Sequence, residues 1–82
     1  FLGRREAYAR WSATLGAAFE QLRAQLARGE PTLIDAYGAS DAGEFFAVVS
    51  ELFFERPAEL AAQHPALYDE LSAYYRCHPS AW

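Results

Sequence analysis

Lysine and methionine are absent from the 82 residues, and cysteine occurs once. Without lysine, all seven cationic side chains are arginine, and eleven carboxylates outnumber them to leave a net charge of −4. Arg4, Arg5 and Arg10 cluster near the start, but no basic stripe of the kind that follows a nucleic-acid backbone is present. Nucleic acid is therefore not an expected partner. The single Cys77 excludes an internal disulfide, which fits a reduced, cytoplasmic setting. No apolar run approaches the ~18 residues that a membrane span needs, and no signal peptide is visible. The membrane is not an expected partner either. The missing methionine includes the first position. The chain opens on Phe1-Leu2-Gly3 and reads as an internal segment of a longer protein.

What is abundant is apolar. Hydrophobic residues make up 52% of the chain and aromatics 16%. A domain of this size buries a modest fraction of its surface and is marginal alone. Thirteen aromatic rings exceed what a minimal helical core requires: six Phe, five Tyr and two Trp. Two readings follow. Either the core is simply well filled, or some apolar surface meets a missing part of the protein or a second subunit.

The apolar positions Tyr8, Trp11, Leu15, Ala18, Leu22 and Leu26 recur at spacings of three and four. That periodicity predicts a helix from Arg4 to Arg28, closed by Gly29 with Pro31 just beyond. Gly16 interrupts it and either permits a close approach or is tolerated at a cost of about 1 kcal/mol. Residues 30–40 read as a loop, with a short extended piece at Thr32-Leu33-Ile34 and turn chemistry at Asp35-Ala36-Tyr37-Gly38. Asp41 and Glu44 have the spacing of a capping box ahead of a second helix, Ala42 to Glu55. Pro57 and Pro65 fit the first turns of two more helices, Pro57 to Gln63 and Pro65 to Arg76. Pro79 closes the pattern. The fold class is all-α, about four helices, with residues 1–82 as one segment.

At about 100° per residue, Glu44 and Glu51 project within about 20° of each other, two turns apart on the second helix. Phe45, Val49 and Phe53 form a different, apolar face. On this pattern Glu44 is either a capping residue on a solvated face or a carboxylate presented to a ligand, and spacing does not choose. His64 and His78 sit beside Pro65 and Pro79, away from the face of Glu44, and read as structural. Cys77 has no evident base partner and reads as a partly buried thiol rather than a nucleophile.

The order Asp35-Ala36-Tyr37, Ala39-Ser40, Glu44-Phe45-Phe46-Ala47-Val48, Ser50-Glu51 and Phe53-Phe54-Glu55-Arg56-Pro57 resembles the C-terminal region of the Mlc titration factor A peptidases. His64-Pro65, Leu67-Tyr68, Tyr74-Tyr75-Arg76 and Pro79 extend the likeness. The Tyr-Gly-x5-Glu-Phe-Phe-Ala core is also similar to lethal-factor-like metalloproteases. The resemblance implies a zinc-dependent metallopeptidase of the gluzincin type. It implies Glu44 as the third protein ligand of the zinc and Tyr37 as the donor to the oxyanion formed on peptide-bond attack. It implies a supporting role for Glu51, such as orienting a histidine ligand. A sugar-responsive transcriptional repressor is the implied protein partner, and a peptide the implied substrate.

Two departures bear on this. Ala42-Gly43 stands where the family usually has Pro-Ala, which loosens the helix start. No His-Glu-x-x-His occurs anywhere in the chain, so two histidine ligands and the general base are missing. The expectation is a C-terminal helical part of a larger zincin-like α+β domain. It is inactive alone, binds no zinc tightly, and is prone to self-association where the missing part would cover it. The alternatives are a helical interaction domain that keeps the scaffold without catalysis, and a small helical domain whose likeness is coincidental.

Overall fold

In the computed structural model, which describes residues 3–76 and Pro79, the chain runs through α1 (Gly3–Ala27), a 3-10 turn (Ala36–Ala39), α2 (Ala42–Glu55), α3 (Pro57–Gln63) and α4 (Pro65–Tyr75). Among the described residues there is no strand. The expected extended piece is a bend instead: the Thr32 hydroxyl donates to the Ile34 carbonyl at 2.7 Å, and the Ile34 side chain turns into the core. An extended strand needs a ladder partner, and no other described segment offers one.

Helix α1 stops where its sequence stops it. The Glu30 N–H donates to the Gln25 carbonyl at 3.0 Å and the Gly29 N–H to the Leu26 carbonyl at 3.0 Å, the paired bonds of a Schellman ending. Gly29 takes the left-handed conformation this requires, with φ +72°. Gly16 is the opposite case. A Cβ placed there meets nothing within 4 Å, so no element among the described residues packs against it. The two glycines should therefore respond oppositely to alanine. Gly29→Ala is expected to cost about 1 kcal/mol, and Gly16→Ala to gain about 0.5–1 kcal/mol. Urea midpoints of the two variants should move in opposite directions, and a shared direction would refute the assignment of the helix end.

Helix α2 begins at its predicted cap. Asp41, in extended conformation, accepts the Glu44 N–H at 2.9 Å through its side chain. The reciprocal half of a capping box, from the Glu44 side chain, is not made. Helices α3 and α4 both start at proline, whose missing N–H would have had no partner in a first turn. The α3–α4 corner is closed by the His64 N–H on the Leu60 carbonyl and the Tyr68 N–H on the His64 carbonyl, at 2.8 and 2.9 Å.

The core gathers Ala18 and Leu22 of α1, Ile34 of the following loop, then Phe45, Val49 and Phe53 of α2, Leu60 of α3, and Leu67, Tyr68 and Leu71 of α4. Phe53 is its centre. Its ring stacks on Tyr75 at 5.8 Å and lies 5.3 Å from Tyr68. Two polar links tie the helices across this core. The Tyr75 hydroxyl donates to Ser50 Oγ at 2.8 Å, joining α4 to α2. Arg10 Nε donates to Glu70 Oε2 at 2.7 Å, joining α1 to α4 and satisfying a carboxylate that is otherwise buried. No described helix is long and apolar enough to cross a membrane.

Candidate functional site

The loop before α2 is a positioned element. Asp35 caps the 3-10 turn, its Oδ1 accepting the Tyr37 N–H at 2.8 Å, while the Asp35 carbonyl accepts the Gly38 N–H at 2.9 Å. Gly38 is buried and faces α2 directly. A Cβ there would lie 3.4 Å from the Val48 Cβ and 3.6 Å from the Ile34 Cγ2. The turn thus lies against α2 at Val48, one turn beyond Glu44, with room for a methyl group and little more. The neighbouring Tyr37 is thereby set beside the outer face of the helix.

Tyr37, Glu44 and Glu51 line one open depression of about 430 Å³, together with Asp35, Ala47 and Val48. The three residues singled out from the sequence are thus brought together. Glu44 is half-buried, and Glu51 and Tyr37 are exposed, Tyr37 at 61%. Among the described residues neither the Glu44 nor the Glu51 carboxylate has a hydrogen-bond or ion-pair partner, and neither does the Tyr37 hydroxyl. Among the described residues no cationic side chain lines the depression. Arg56, on the adjoining surface, is held by Glu59 in a bidentate pair. Glu44 and Glu51 are separated by about 10 Å of helical rise.

The depression alone is not a metal centre. Among the described residues no three His, Cys, Asp or Glu side chains come together closely enough to hold a metal ion. The core face of α2, Phe45, Val49 and Phe53, lies on the other side of the helix from Glu44 and Glu51. His64 lies elsewhere, in a depression lined by Ala13, Ala17 and Gln21 of α1. Cys77 and His78 fall outside the described residues.

Burial holds the His64 imidazole below the usual histidine value. The neutral ring is thus favoured in the fold. Its contribution to stability is complete above about pH 6.5, the unfolded value, and is lost as pH falls through and below it. The urea midpoint should drop more between pH 7.5 and pH 5 in the parent than in His64→Gln. Equal drops would remove His64 as a cause.

The role of Asp35 was not visible as a site feature in the sequence, although an Asp two residues before Tyr37, with Gly38 following, carried the turn signal. What the sequence did not disclose was the Gly38–Val48 contact that aligns the turn with α2.

Comparison with known proteins is consistent over the length of the chain. The sequence model of the family described as glucose-regulated metallo-peptidase M90 matches residues 1–76. An uncharacterized protein of Synechocystis sp. is 47% identical over 78 residues, covering 95% of this chain and 28% of its own length. The Mlc titration factor A of Serratia proteamaculans is 40% identical over 75 residues, covering 89% of this chain and 29% of the relative. That of Edwardsiella ictaluri is 41% identical over 73 residues, covering 87% and 28%. The chain spans less than a third of the length of these curated relatives. No solved structure matches it. With its helices and candidate site residues all inside the matched span, the chain belongs to the glucose-regulated metallo-peptidase M90 family.

Proposed function

We propose that these residues are the C-terminal helical part of a zinc peptidase that hydrolyses peptide bonds, with Glu44 as one metal ligand and Tyr37 as the donor to the developing oxyanion. The observation that carries this reading is the shared depression. In a chain of a metallo-peptidase family, whose name implies a metal, a half-buried carboxylate and a phenol line one surface, and neither has a partner among the described residues.

The donor chemistry fits one ligand position. A carboxylate oxygen is a normal zinc ligand, and a catalytic zinc takes about three protein ligands with one position left for water. Glu44 supplies one. The remaining ligands and the general base have to come from a His-Glu-x-x-His segment elsewhere in the natural protein. Bound zinc would lower the pKa of its water and polarise the scissile carbonyl.

The residues of this chain do the rest. The start of α2, capped by Asp41, presents the Glu44 carboxylate without using it as the cap. The 3-10 turn holds Tyr37 beside it, its hydroxyl free to donate to the carbonyl oxygen as negative charge develops there. Glu51, two turns along the same face, is free to accept a hydrogen bond from the second nitrogen of a ligand histidine and fix its orientation. Relatives carry the name Mlc titration factor A. A transcriptional repressor as protein partner is part of the proposal for the whole protein, and it would place the protein in the cytoplasm.

The test uses the longest natural chain that carries these residues. Sequencing upstream of Phe1 should reveal the His-Glu-x-x-His helix. Chelation should abolish its peptidase activity, and zinc should restore it. The 82-residue segment alone should hold no zinc after desalting. A natural chain without those histidines and without peptidase activity would instead leave a helical interaction domain that keeps the family scaffold, and peptidase activity that survives complete metal removal would refute the zinc assignment.

A further inference from the structure

We draw no further inference here: the strongest candidate, the aromatic groove of about 470 Å³ between α1, α2 and α4 lined by Trp11, Leu15, Phe19, Phe46 and Tyr74, is an unpartnered apolar face, and nothing in the structure shows what covers it.

Discussion

On the proposed ligand role, Glu44→Gln in the complete protein is expected to lower zinc affinity by more than the roughly 10–100-fold that loss of an outer-shell partner costs. Peptidase activity should fall with it at stoichiometric metal. The substitution keeps size and shape and removes the charge, so a ligand role and a structural role separate cleanly. The Glu44 carboxylate makes no hydrogen bond among the described residues, and its backbone N–H, which Asp41 caps, is untouched. Stability should therefore stay within about 0.5 kcal/mol of the parent. Asp41→Ala is the matching control. It removes the helix cap and should cost about 1 kcal/mol, while zinc stoichiometry stays at the parent value. Zinc titration and a urea melt on both variants decide the matter. Unchanged zinc affinity in Glu44→Gln would sink the ligand assignment and leave the residue as part of a solvated helix face.

That contrast shows where the sequence was informative. The helices were legible because each carries local punctuation. Gly29 ends α1, Asp41 begins α2, and Pro57 and Pro65 begin α3 and α4. Each of these acts through bonds within a few residues of itself, so its effect can be read without the fold. The placement of Glu44 and Glu51 on one face was legible for the same reason, since helical geometry fixes it.

Three features were not legible, because each depends on residues far apart in the chain. The Arg10–Glu70 link joins residues 60 positions apart, and the Tyr75–Ser50 bond joins residues 25 apart. The side by side placement of Tyr37 and Glu44 follows from Gly38 lying against Val48, a contact that no spacing rule contains. The expected short extended piece at Thr32-Leu33-Ile34 was misjudged for another reason. A β-branched pair around leucine suits an extended chain, but pairing is settled by neighbours, and here the Thr32 hydroxyl closes on its own backbone. The role of Glu44 was the hardest case, because a cap and a ligand can share a position. In the structure the cap is Asp41, and the Glu44 side chain is left over.

Tyr37→Phe tests the other half of the site and should act on rate rather than on binding. Removing a preorganised oxyanion donor typically costs about 10²–10³ in kcat, or roughly 2.7–4 kcal/mol of transition-state stabilisation. The loss should appear in kcat, with KM and zinc content near parent values, because the bond strengthens only as negative charge develops on the substrate oxygen. The fold should not notice. The ring is 61% exposed and its hydroxyl has no partner among the described residues, so the urea midpoint should stay where it is. Gly38→Val supplies the complementary perturbation. It keeps the phenol but adds two methyl groups beyond a Cβ position that is already at contact distance from Val48, which should push the turn off α2. Both variants should therefore lose turnover, Tyr37→Phe at constant stability and Gly38→Val with a stability loss of about 1–3 kcal/mol. Tyr37→Phe with parental kcat would remove the tyrosine from the mechanism. Parental kcat in a folded Gly38→Val would show that the placement of the turn against α2 does not matter to the chemistry.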